Sequence, residues 1–270
     1  MQQLADGILV INLAERTDRW AYVQEELRPH VPEGSLLRID AVKGTRIAGY
    51  GRPPLFRGRR RDTTWAGRAG CLLSHRKAIE HALEQDWKRV LILEDDVRIA
   101  ADLPLVVPEL ARTLNRQHWG ACYLGFTDPV GPYRHIASLH EGRDLYELFG
   151  CSTTHAYLLT RAACRILVHA LPDEQEVWDW LTRHRAIDRW YARTLSRWFR
   201  VLAVSPSLIN QRQGPSDITG RDQEEGHLTA VPAASSLLPY RLAMLQTSLR
   251  HGILNRYDAL RGFIKRRRGF

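Results

Sequence analysis

Two short apolar runs stand out: ILVINL at residues 8–13 and VLIL at residues 90–93. Unbroken runs of this length read as strands buried on both faces, the pattern of a parallel sheet. Further strands are predicted over 36–42, 120–126, 152–160 and 200–205. Between the strands the apolar spacing lengthens to three and four residues. Helices are predicted from Thr17 or Asp18, as N-cap, to about Leu27, and from the segment 65–75 onward to about Gln85. Others are predicted over 103–114, with Pro104 near the first turn, over 161–170, stopped by Pro172, and over 173–181 and 186–195. Strands alternating with such helices predict an α/β fold around a mostly parallel sheet. Residues 44–65 lose periodicity and carry Arg52, Arg57, Arg59, Arg60 and Arg61 among Gly and Pro. A stretch of this kind in a compact domain is a functional loop or disorder, and we read it as a lid over an anionic substrate.

The end of the chain follows a different rule. Leu238, Leu242, Leu245, Leu249, Ile253, Tyr257, Leu260 and Ile264 form one helical stripe, which Gly252 is expected to interrupt. Residues 239–270 hold eight Arg and Lys against one acid, Asp258, so they carry +7 of the chain's net +9. The basic balance therefore describes the tail, and it argues against a nucleic-acid-binding globule. An apolar face with a basic rim is the pattern of an interfacial helix on an anionic leaflet, at an attraction of order 1 kcal/mol per basic residue. The other reading is a helix packed on the domain with its basic face in solvent. The expected division is a transferase-sized domain over 1–228 and a tail over 229–270.

Cys71, Cys122, Cys151 and Cys164 form no CxxC pair and sit beside apolar residues, as small hydrophobes do. The first residues lack the basic and apolar regions of a signal peptide, and no apolar run approaches the roughly 18 residues a membrane span needs. The expectation is a reduced, cytoplasmic protein, peripheral on the inner face of the cytoplasmic membrane through its tail.

The candidate chemistry lies where the 90–93 run ends, in Glu94, Asp95 and Asp96. Ligands of open α/β sheets bind at the carboxyl ends of strands. Alternation along an extended segment puts Glu94 and Asp96 on one side and Asp95 on the other. Two like charges on one side call for a cation, and Mg²⁺ or Mn²⁺ takes one or two carboxylates plus substrate phosphates. The plainer reading is that the acids cap the next helix. Asn12, Arg16 and Arg19 fall at the end of the first strand and the start of its helix, where a nucleotide would be gripped; pairing of Arg16 and Arg19 with Glu15 and Asp18 is the alternative. Gly67 and Gly70 allow close backbone approach, with Ser74 and His75 following; a helical His of this kind is more often a buried hydrogen-bonding residue. Trp178, Trp180 and Trp190 suit either sugar faces or core filling.

Three segments together resemble glycosyltransferase family 25, the bacterial lipooligosaccharide galactosyltransferases related to the collagen galactosyltransferases. They are VINLAERTDR at 10–19, AGCLLSH at 69–75 and LILEDDV at 91–97. His155-Ala-Tyr157 with the helix start after Thr160 also looks like the family, as does Gln211 with Ser216, Asp217 and Ile218. The resemblance spans roughly residues 7–220 and leaves out the tail. It implies a GT-A fold, a divalent metal at Glu94-Asp95-Asp96, and inverting transfer from a nucleotide sugar, most commonly UDP-galactose, to a glycan or glycolipid acceptor. Glu stands at the first ligand position where the family motif has Asp. On this reading Glu94 and Asp96 hold the metal. Gln211, or Asp217, completes the metal site. Asn12, Arg16, Arg19, Gly70, Ser74, His75 and Asp95 serve the donor. Asp188 is the first choice as base, with His155, Glu176 and Asp179 behind it. An inactive scaffold, a metal-dependent phosphohydrolase and a nucleic-acid binder are the rival readings.

Overall fold

The computed structural model describes residues 1–32, 34–212, 214–215, 222–223 and 237–270. Its centre is a six-stranded sheet in the order β2 (Leu36–Asp40), β1 (Gly7–Asn12), β3 (Arg89–Glu94), β6 (Asp144–Thr160), β5 (Ala121–Ser138), β7 (Val201–Ser205). β1 is parallel to β2 and β3; β6 is antiparallel to β3 and β5; β7 is parallel to β5. Five strands thus run one way and β6 runs against them, which is the mostly parallel α/β architecture expected. A separate ribbon joins β4 (Val97–Ile99) to β8 (Ile209–Gln211), with Val97 opposite Gln211.

The two buried runs behave as their composition demands. Leu9, Ile11, Val90 and Ile92 enter one apolar cluster, with α2 (Asp62–Glu84), α4 (Arg161–Ala170), α5 (Val177–His184) and α6 (Ile187–Thr194). Ile8, Val10, Leu91 and Leu93 enter the other, with α1 (Thr17–Leu27) and α3 (Leu103–Asn115). Each strand alternates between two covered faces, so every residue must be apolar. Helix α2 starts at Asp62, earlier than expected, because the segment 65–75 is itself helical. Gly70 lets it press on the 42–44 loop: a Cβ there would stand 2.3 Å from the Val42 carbonyl oxygen.

Residues 44–61 are not loose. Phe56 is fully buried against Tyr50, Trp178 and Phe270. Arg57 and Arg59 donate to the carbonyl oxygens of Arg267 and Phe270, so these two arginines hold the tail. Trp178, Trp180 and Trp190 are core residues, and the Trp178 indole donates to the Ala48 carbonyl at 2.7 Å.

Helix α7 (Leu237–Arg268) runs unbroken through Gly252, contrary to expectation. Gly252 lies under Arg197, whose guanidinium donates to the Ser248 carbonyl. The helix packs on α5, α6 and β5. Its one acid, Asp258, is buried and accepts from Arg189 at 2.7 Å and Arg193 at 2.8 Å. Phe270 stacks on Trp65, ring centroids 4.2 Å apart. No helix among the described residues is long and apolar enough to cross a membrane.

Candidate active site

β3 delivers its acids at the carboxyl edge of the sheet, beside a cleft of about 270 Å³. Glu94, Asp95 and Asp96 line it with Arg19 from α1, Val42 to Thr45 from the loop after β2, and Gly67, Gly70, Cys71, Ser74 and His75 from α2. Ser74 shapes the wall: its hydroxyl donates to the Gly70 carbonyl at 2.6 Å and accepts from the Val42 amide at 2.8 Å.

Alternation along β3 holds for the first two acids and stops at the third. Glu94, in phase with Val90 and Ile92, turns towards α2 and β6. It accepts from the Thr154 hydroxyl at 3.0 Å, and a His75 ring nitrogen lies at 3.4 Å. The Tyr157 hydroxyl meets the other His75 nitrogen at 2.8 Å and fixes the ring. Asp95 turns to the α1 side, where Asn12 donates at 2.6 Å and Arg19 at 2.9 Å. β3 ends at Glu94 and the chain turns, so Asp96 does not return to Glu94's side by strand geometry. It lies 3.6 Å from the same Arg19 nitrogen and is hydrogen-bonded by the Gln211 side chain, which the β4–β8 ribbon brings in.

The charges differ accordingly. Burial, then repulsion from Glu94, pushes the Asp96 carboxyl up to about 7. Burial raises Asp95 as well, partly offset by Arg19 and Asn12. Burial also works against the Glu94 carboxylate, but His75, His155 and Thr154 together outweigh it and hold its pKa below the usual range.

The expected donor set fits a hard divalent ion at Asp96. Its Oδ1 is buried and has no hydrogen-bond partner, a costly state for a carboxylate oxygen that a cation would relieve. Both oxygens of Asp95 are engaged by Asn12 and Arg19, so Asp95 ties the strand to α1. Sequence reasoning overlooks a second grouping. The ligand atoms of Cys71, His75 and Glu94 lie within 4.8 Å of one another. The available signal is the four-residue spacing of Cys71 and His75 on one helix face; the apolar neighbours of Cys71 mark it only as a small hydrophobe. Thr154 carries no signal, since only the antiparallel pairing of β6 with β3 brings it to Glu94.

The remaining candidates are dispersed. Asn12 is buried beneath the cleft. Arg16 pairs with exposed Asp18 at 2.9 Å, the surface alternative, whereas Arg19 reaches the carboxylates. Asp18 therefore serves Arg16, and α1 has no side-chain cap. His155 is buried, with one ring nitrogen 3.1 Å from the Thr153 hydroxyl and the other donating to the Ile209 carbonyl at 3.0 Å; burial lowers its pKa. Asp188, in the first turn of α6, feels the charges of Glu94 and Arg68, and burial raises its pKa. Glu176 and Asp179 flank the start of α5, and Asp179 pairs with Arg183 and Arg266. Ser216, Asp217 and Ile218 lie outside the described residues.

The site is thus a set of acids beside a cleft at the carboxyl edge of a mostly parallel α/β sheet. Residues 5–120, which hold all three of the segments first compared, match Glycosyltransferase family 25 (LPS biosynthesis protein). The human "Inactive glycosyltransferase 25 family member 3" is 29% identical over 181 residues, 62% of this chain and 29% of that protein. The rat "Probable inactive glycosyltransferase 25 family member 3" is 31% identical over 183 residues, 62% of this chain and 30% of that one. The chain thus matches about three-tenths of the length of these relatives. Among solved structures, a mannose-1-phosphate geranyltransferase from Thermus thermophilus aligns at a TM-score of 0.37 and 17% identity over 73% of this chain and 72% of that one, too loosely to carry an argument.

Proposed function

We propose that the chain is an inverting, metal-dependent glycosyltransferase that moves a sugar, galactose from UDP-galactose in the first instance, to a saccharide acceptor of lipopolysaccharide or another surface glycan. The observation that carries this reading is the buried Asp96 oxygen without a hydrogen-bond partner, on a residue that lines the cleft just past the end of β3.

Mn²⁺ or Mg²⁺ held by Asp96 and Glu94, with Gln211 alongside, would bind the donor diphosphate and offset the charge that develops as UDP leaves. Arg19 balances Asp95 and Asp96 and keeps them together. The Gly70–Ser74 wall and the 42–45 loop bound the donor space. Inversion requires the acceptor oxygen to approach the anomeric carbon opposite the departing phosphate oxygen. The new C–O bond forms as the old one breaks, and the acceptor proton goes to a carboxylate. Asp188 suits that role because a raised pKa makes a carboxylate a stronger base. His155 suits it less, with both nitrogens already engaged.

One observation favours a second reading, an inactive relative acting as a scaffold: both curated relatives bear the word inactive in their names. The experiment is UDP release from a panel of UDP-sugars with Mn²⁺ and with EDTA. Release that needs Mn²⁺ and one sugar supports transfer. No release, together with no Mn²⁺-dependent protection of the fold by any donor, supports the scaffold.

A further inference from the structure

The tail helix packs on the domain with its polar face and turns its apolar face outward. The inner face carries Tyr240, His251, Asp258 and Gly262, buried or half-buried against the domain. Gly262 has no room for a side chain, since a Cβ would come within 2.9 Å of Arg183. The stripe read from the sequence points the other way, with Leu249 62% and Ile253 69% exposed. At about 100° per residue, the residues from Leu242 to Ile264 gather within about 120° of the circumference, opposite Asp258. Large apolar residues left in water along a whole helix mark an interaction surface.

Charge identifies the occupant. Arg241 lies on one flank of the stripe and Arg250, Arg261 and Arg268 on the other, while Arg256 falls within it. Arg261 lies over the Tyr257 ring at 5.8 Å and Arg267 over Phe263 at 4.5 Å, so their stems follow the apolar side chains. The helix's single acid faces inward, which leaves the outer face wholly cationic. A second copy placed face to face would bring two rows of arginine together. An anionic bilayer matches both features, taking the apolar stripe at the acyl boundary and the guanidinium groups among its headgroups.

We infer that α7 docks the domain on an anionic membrane surface, with the stripe from Leu242 to Ile264 inserted and the Asp258 face clamped to α5 and α6. The inference does not rest on the transferase reading. Docking is rigid, because the face that binds the domain is distinct from the face that meets lipid. The bilayer is the cytoplasmic leaflet if the protein acts where nucleotide sugars are made.

The test is co-sedimentation of the full chain with phosphatidylglycerol–phosphatidylcholine vesicles and with pure phosphatidylcholine vesicles. Binding is expected only with the anionic vesicles and should weaken as salt rises. The pair Leu249→Gln with Ile253→Gln, and separately Arg250→Gln with Arg256→Gln, should each weaken it about tenfold. These side chains are exposed, so melting temperature should stay unchanged. The inference fails if the wild-type chain does not prefer anionic vesicles, or if the Leu249/Ile253 pair binds as wild type. A concentration-dependent dimer dispersed by that pair, without vesicle binding, would assign the stripe to a second copy and overturn it too.

Discussion

Asn12 and Asp95 stand 83 positions apart and meet through a buried 2.6 Å hydrogen bond from the amide to the carboxylate. The same amide nitrogen donates to the Arg16 carbonyl at 3.1 Å, so one side chain joins the end of β1, the start of α1 and the acid turn after β3. Asn12→Ala leaves a buried carboxylate one bond short, at a cost of about 1–3 kcal/mol in urea unfolding. A loss under about 0.5 kcal/mol would show that water replaces the amide without penalty.

Asp96 is a liability to the fold that a metal site would explain. Asp96→Asn removes the repulsion with Glu94 and the cost of burying charge, so the metal-free variant should melt higher than wild type, by roughly 2–4 °C per kcal/mol gained. The same variant should lose Mn²⁺-dependent stabilisation and UDP release. Unchanged stabilisation by Mn²⁺ in Asp96→Asn would remove Asp96 from the metal site.

Gly70 tests the wall of the cleft. Its Cβ would meet the Val42 carbonyl oxygen at 2.3 Å and the Gly44 nitrogen at 2.9 Å. Both are backbone atoms with little freedom to give. Gly70→Ala should cost about 1–3 kcal/mol by overpacking and should weaken donor protection in a thermal-shift assay. Full donor protection with wild-type stability would mean that the 42–44 loop moves freely.

The tail is predicted to be structural as well as cationic. Asp258→Ala strands two arginines at 30% and 19% side-chain exposure, and should cost about 2–4 kcal/mol in denaturant unfolding. Removing residues 239–270 should lower the melting temperature, because Phe270 leaves the aromatic cluster with Trp65 and Phe56. Calorimetry of both proteins gives the answer, and equal melting temperatures would return the tail to a separate unit.

His184 gives a pH dependence. Burial, followed by the Arg183 charge, lowers its pKa to about 4, and its ring packs on Trp180 at 4.6 Å. The unfolded chain takes up the proton first, near pH 6.5. Stability from this group is therefore complete above about pH 6.5, falls as pH drops towards about 4 and levels off below. His184→Gln should flatten that limb by about 1–2 kcal/mol. An acid limb identical in the variant would assign the loss to carboxylates elsewhere.

What the sequence discloses depends on range. The strands at 8–13 and 90–93 are legible because burial on both faces forbids polar residues there. The acids at 94–96 are legible because they end such a run. Their partners are less so. Arg19 is expected at a nucleotide and is found on Asp95 and Asp96, since only the parallel register of β1 and β3 sets that distance. Strand alternation foretells Glu94 and Asp95 and fails at Asp96, because nothing local says where β3 stops. The tail stripe is legible as periodicity. Which face packs is not, because a buried acid such as Asp258 looks like any surface acid until its arginines are known.

The reversed strand β6 also bears on how the chain comes to fold. It enters the sheet between β3 and β5 and carries Thr154 to Glu94 across 60 positions, while Asn12 reaches Asp95 across 83. The contacts that fix the acids, from Thr154 to Glu94 and from Asn12 to Asp95, each close a long loop, and that entropy is spent before they form. The cleft is therefore expected to be a late product of folding. A nucleotide that binds it would act as a clock, registering the moment when β1, β3 and β6 have all found their register.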